Sequence, residues 1–221
     1  MIDDAEVRND FAGGAPPASD PRFAGQAGDF INETALYANG IEAFKEYNAI
    51  ENRTYSGTGE DRFDGAPDLY RYNTYGSDAA IIMVDARSFR DAELPAPANP
   101  FSPTDVGKFL SASFDASRTM LGDVQLARLE QDLLDARDKG ITWKFVMLGE
   151  PIQNFGPNSG DRYEGYAAER DALLKFIDDN HIENVVFVSS DHHGGALLHA
   201  GNESIDLLGV KPNELRHHDW A

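Results

Sequence analysis

The chain has no cysteine, which excludes disulfides and thiolate metal ligands but leaves the redox compartment open. Basic residues are scarce: 19 Lys and Arg stand against 38 Asp and Glu, a formal charge of −19. Nucleic acid is therefore excluded as a partner, because phosphate backbones are held by clustered Lys and Arg and none cluster here. An acidic balance suits solubility and cation binding instead. No window approaches the roughly 18 consecutive apolar residues of a membrane helix, so no membrane partner is expected. The opening MIDDAEVRNDFAGG has neither a basic n-region nor an apolar h-region, and no signal peptide is read in it. No repeat, low-complexity segment or linker divides the chain. With 221 residues and 41% hydrophobic content, it reads as a single α/β domain over 1–221.

What is present is alternation of helical and strand patterns. Residues 11–29 are rich in Gly, Ala and Pro and read as a loop. The next stretch, FINETALYANGIEAFKEYNA, repeats Ile31, Ala35, Ala38, Ile41 and Phe44 at helical spacing. Residues 49–68 are polar and irregular. A short aromatic strand, a turn at Gly76 and a strong strand from Ala79 to Val84 follow. ELPAPANPFSPTD, with four prolines, predicts an excursion. From Asp123, taken as an N-cap, Leu126, Leu129 and Leu133 line one helix face up to Gly140. ITWKFVML predicts a buried strand, 149–162 a loop, 165–180 an amphipathic helix and NVVFVSS a strand. This order predicts a sheet with helices packed on its faces. The tail NESIDLLGVKPNELRHHDWA gives no clear signal.

The strand VVFVSS runs directly into DHHGG. In extended backbone Asp191 and His193 project to one side and His192 to the other. Asp191 and His193 are thus the natural ligand pair, and Gly194 and Gly195 remove side chains where a phosphate or second ligand approaches. A polar turn explains the same spacing. At the other end of the sequence, IDDAEVRNDF packs Asp3, Asp4, Glu6 and Asp10 together, as carboxylates sharing a hard cation would, or as a solvated acidic face would.

IDDAEVRNDFAGG resembles the W-D-D-H-E-V-x-N-D motif of the alkaline phosphatase D (PhoD-like) metallophosphatases, with Ala5 where that family has histidine. Four further segments are similar to that family in the same order: LYRYNTYGSDAAIIMVDARSFRD, TMLGDVQLARLEQDLLDARDKGITWKFVM, GDRYEGYAAERDALLKFI and NVVFVSSDHHGG. The resemblance implies a layered α/β/β/α sandwich, incomplete at its N-terminus, because the family's upstream ligand motifs are absent. It also implies metal-dependent hydrolysis of phosphate esters, with small-molecule phosphate esters as substrates. Ca, Fe, Mn or Zn are the cofactors it suggests, and ligand type alone does not choose among them. Family members are commonly exported. A sandwich lacking one half would leave an apolar sheet face and an edge exposed, predicting marginal stability and self-association.

By the same resemblance, Asp4 ligates or bridges metal, Asp191 and His193 form the last ligand pair, and Ala5 replaces the group that protonates the leaving oxygen. General acid catalysis is typically worth about 10²–10⁴-fold, so this loss would be severe for an alkoxide leaving group and milder for a nitrophenolate. Glu150 closes the WKFVML strand where another ligand is expected, with Gln153 and Asn154 as competitors. Arg87 either clamps the substrate phosphate or ties the strand end together with Asp85. A non-catalytic cation-binding remnant is the alternative reading of the whole chain. His192 and His199 read as surface or packing groups, His181 as a helix-end group, and His217 and His218 as an incidental pair. Trp143, Tyr163 and Tyr166 read as core aromatics.

Overall fold

A computed structural model describes residues 1–3, 5–157 and 160–190. Asp4, Asp191, His192, His193, His199, His217, His218 and the unplaced tail lie outside the described residues. The mixed sheet that the described residues form has the order β1 (Arg71–Tyr75), β2 (Ala79–Met83), β3 (Trp143–Leu148), β4 (Val185–Ser189). β1 and β2 make an antiparallel hairpin around Gly76, whose φ of +59° is readily reached only without a Cβ. β2, β3 and β4 are parallel and in register, with Ile82 opposite Val146 and Val146 opposite Phe187. Parallel neighbours need crossovers. Helices α2 (Pro103–Ser113) and α3 (Asp123–Asp138) lie between β2 and β3, and α4 (Ala167–Asp179) lies between β3 and β4. Helix α1 (Ala35–Tyr47) precedes the sheet in sequence.

The main core lies between the sheet and α3 and α4. Ile82, Val146 and Leu148 are fully buried together with Leu129, Leu133 and Leu173, and Tyr163 and Tyr166 join them as expected. Gly140, at φ +67°, follows α3 as a C′ residue should. A second cluster joins the N-terminal segment to α1 through Ile2, Phe11, Phe23, Ile31, Tyr37 and Ile41. Phe63 stacks on Phe89 at 3.8 Å in a third. Gly13 and Gly14 lay the N-terminal segment across residues 87–90: their amides donate to the carbonyls of Arg87 (2.8 Å) and Arg90 (3.0 Å). A Cβ on Gly13 would stand 2.3 Å from the Ser88 oxygen, so this approach requires glycine.

Four sequence expectations are corrected. The proline-rich stretch does not remain an excursion, because Pro103 sits in the first turn of α2 and Ser102 caps it, accepting from the Asp105 amide. Proline is well placed there, since its missing N–H would have had no helical partner. In α1 the buried face is Tyr37 and Ile41, with Leu36 and Phe44 packed beside them, while Ala35 and Ala38 are exposed. α3 is capped by Gly122, and Asp123 is its first helical residue. Trp143 is no core aromatic: it lies 45% exposed at the start of β3.

Candidate functional site

Because β2, β3 and β4 run parallel, their carboxyl ends meet along one border of the sheet, the usual place for a site in an open α/β fold. Three segments leave that border: 84–91 after β2, 149–162 after β3, and Ser190 after β4. Asp85 closes the first as a tight, buried turn. Its Oδ1 accepts from the amides of Arg87 (3.0 Å) and Ser88 (2.9 Å), and its own main chain is clasped by the Gln125 side-chain amide through bonds of 2.7 and 2.8 Å. Burial pushes the Asp85 carboxyl above its ordinary value, opposed by those hydrogen bonds.

Arg87 and Arg90 leave this turn and are fully buried. Arg87 donates in a bidentate manner to Asp161 (3.0 and 3.1 Å) and through Nη2 to Glu150. Arg90 donates to the Asp161 carboxylate and, at 2.9 Å, to its backbone oxygen, with Glu150 3.5 Å away. Burial presses the Arg90 guanidinium down, yet Arg keeps its proton in proteins, so the cluster is ionic. Arg87 and Asp85 therefore tie the strand end through backbone bonds, while the Arg87 side chain engages carboxylates 63 and 74 positions away. Its two terminal nitrogens, where a phosphate clamp would act, bind Glu150 and Asp161. Glu150 is completely buried against the two arginines. Gln153 is half-buried and Asn154 exposed.

The N-terminal acidic segment reaches the same border. Asp3 Oδ1 lies 3.9 Å from Arg87 Nη2, and the Asp3 amide donates to Glu6 at 2.8 Å. Gly149 is the crossing point. A Cβ there would stand 3.1 Å from the Ile2 oxygen and 3.3 Å from Asp3 Oδ1, and the Gly149 carbonyl accepts from the Ser190 hydroxyl at 3.1 Å. The residue before Asp4 and the residue before Asp191 thus meet on one glycine. Ala5 is exposed and offers no proton donor. Among the described residues no three His, Cys, Asp or Glu stand together as a metal cluster. Carboxylate oxygens are the donor type a hard cation takes, and Asp3 brings one to the cradle at Gly149. A separate groove of 770 Å³ runs between α1 and residues 50–67, lined by Ile41, Lys45, Asp61 and Pro67, and touches none of these groups.

Sequence reasoning did not single out Asp161, Arg90 or Gln125. The available signal was that all three fall inside segments similar to the PhoD-like family.

A mixed sheet with three parallel strands, and polar loops converging at their carboxyl ends, defines an α/β protein. The family model described as PhoD-like phosphatase matches residues 1–210, and the chain belongs to that family. It is 26% identical over 179 residues to alkaline phosphatase D of Bacillus subtilis (strain 168), covering 75% of this chain and 29% of that protein. A solved structure described as the structure of PhoD shares its fold, with a TM-score of 0.62 and 22% identity over 87% of this chain and 34% of that one. The chain spans about a third of the length of these relatives.

Proposed function

We propose that this chain forms the strand-end portion of a metal-dependent phosphoesterase that hydrolyses small phosphate esters. The observation that carries this reading is the meeting of Asp3, Gly149 and Ser190 at the carboxyl ends of β3 and β4. Asp4, Asp191 and His193 are the groups that would hold the cation, with Glu150, at the end of β3, as a further carboxylate candidate. A bound cation would supply charge stabilisation to the phosphoryl oxygens and acidify water. The protein's own contribution is orientation: the Arg87–Asp161–Arg90–Glu150 cluster braces the loops after β2 and β3, and Gly149 leaves room for the acidic segment.

Ala5, which has no side-chain proton to give, favours a second reading, in which the chain binds a cation without turnover. The test is hydrolysis of an aryl and an alkyl phosphate ester with Mn²⁺ or Ca²⁺ present, before and after Ala5→His. The phosphoesterase reading expects weak aryl-ester hydrolysis and a gain of about 10²-fold on the alkyl ester, where leaving-group protonation matters most. Cation binding with no hydrolysis of either ester in either form would leave the non-catalytic reading.

A further inference from the structure

The groove between α1 and residues 50–67 has a volume of 770 Å³, within the range of small-molecule sites, about 300–1,000 Å³. Ile41 and Ala66 are buried in its floor, and Ile50 and Pro67 are half-buried beside them. Five carboxylates and two cations stand around that floor. Part of this charge is already engaged: Glu33 accepts from the Asp29 amide (2.6 Å), Asp64 from the Thr58 amide (2.9 Å), and Arg62 donates to Asp91 (3.1 Å). What remains is Glu42, Glu46 and Asp61 with Lys45, and none of these four has a hydrogen-bond or ion-pair partner among the described residues. Glu42 and Glu46 stand four apart on α1, a spacing at which like charges repel. Asn32, also in the lining, is 7% exposed. Its Nδ2 donates to the carbonyls of Arg62 (2.8 Å) and Ser88 (2.9 Å), which uses both amide hydrogens and fixes the orientation of the group. Its Oδ1 accepts from no donor among the described residues and is not sealed from solvent, so it opens on the groove.

A fixed acceptor, an excess of carboxylate and a hydrocarbon floor together call for a ligand with N–H donors, positive charge and an aliphatic body. We propose that this groove binds a small aliphatic polyamine: its methylenes lie on Ile41, Ile50 and Pro67, its ammonium groups face Glu42, Glu46 and Asp61, and one of them donates to Asn32 Oδ1. A bare metal ion would match the charge and leave the apolar floor unused. Lys45 weakens the attraction without reversing it, because three free carboxylates share the groove with it. The groove shares no residue with the strand ends, so this inference stands apart from the phosphoesterase reading.

The test is calorimetric titration of the folded, full-length chain with spermidine at about 0.1 M salt, where attraction to distant charges is screened. Saturable binding to a single site is expected. Glu42→Gln combined with Glu46→Gln, both at exposed positions, should weaken it about fivefold. Ala38→Trp fills the groove from the exposed side of α1 without changing charge and should weaken it roughly tenfold. Lys45→Met should tighten it about threefold, a change of sign that a folding defect does not produce. Asp138→Asn combined with Asp179→Asn removes the same two charges from α3 and α4 and should leave it within about twofold. No saturable binding, equal weakening by the two charge pairs, or indifference to Ala38→Trp overturns the proposal. So does displacement of spermidine by Mg²⁺ at equal ionic strength, which would mark attraction to an acidic surface only. A lysine-rich peptide that binds where spermidine does not would overturn the choice of a small ligand.

Discussion

The two faces of the sheet use similar residues and meet different surroundings. Ala80, Ile82, Val146 and Leu148 are fully buried on the side of α3 and α4. One position along the same strands, Ile81, Met83, Phe145 and Met147 remain half-buried, and Trp143 and Val188 are 45% and 37% exposed. Parallel strands usually carry cover on both faces. With strands about 4.8 Å apart and five residues at about 3.3 Å each, the second face spans about 300 Å². A stable interface needs about 800 Å² per partner. The second face is therefore apolar enough to attract a partner and too small to hold a free one tightly. Its self-association should be weak and steeply concentration-dependent.

Breaking the covered face has the largest effect. Leu148→Ala empties a fully buried site and should cost about 3 kcal/mol in denaturant unfolding, whereas Met147→Ala, its neighbour on the other face, should cost under about 1 kcal/mol. Equal losses would remove the distinction between the faces.

The covered side also holds Glu169, which binds the turn at residues 119–121 that leads into α3. It accepts from the Thr119 hydroxyl and from the amides of Met120 (3.1 Å) and Leu121 (3.2 Å). Burial is the dominant influence and pushes its carboxyl up to about 7, against hydrogen bonds that lower it. A folded-state value above the unfolded one makes its contribution fully present below about pH 4.5 and lost as pH rises through about 7. The change is of the order of 3 kcal/mol. Glu169→Gln should flatten the corresponding fall in melting temperature between about pH 4.5 and 7, and an unchanged pH profile would count against it.

On the open face, Met147→Lys should lower association in sedimentation experiments at high concentration while shifting unfolding by less than about 1 kcal/mol. Unchanged association would place the contact elsewhere, such as the β4 edge. The smallest effect is expected at Lys175, paired with Asp179 at 2.6 Å on the outer side of α4 with both side chains more than half exposed. Lys175→Ala should change stability by under about 0.5 kcal/mol.

Much of this was legible before the structure, for identifiable reasons. The strands at 79–84 and 143–148, the Leu129 and Leu133 stripe and the Gly140 stop are encoded in local period and punctuation, so they are readable from a window of residues. α2 was hidden because four prolines mask a helix that uses one of them in its first turn. Trp143 was misread because a bulky aromatic in an apolar run signals burial, and burial on the second face depends on what covers it. The ionic cluster was least legible. Arg87 meets Asp161 across 74 positions and Glu150 across 63, and no periodicity announces a partner at that distance. The acidic segment and the strand end at Ser190 were each visible alone, while their meeting on Gly149 required the fold.

The most direct test of the cation site is calorimetric titration of the metal-stripped chain with Mn²⁺, Ca²⁺ and Zn²⁺, repeated with Asp191→Ala and His193→Ala. The account predicts binding to the parental chain that is lost in both variants. No binding to the parental chain, or binding indifferent to both substitutions, would contradict it.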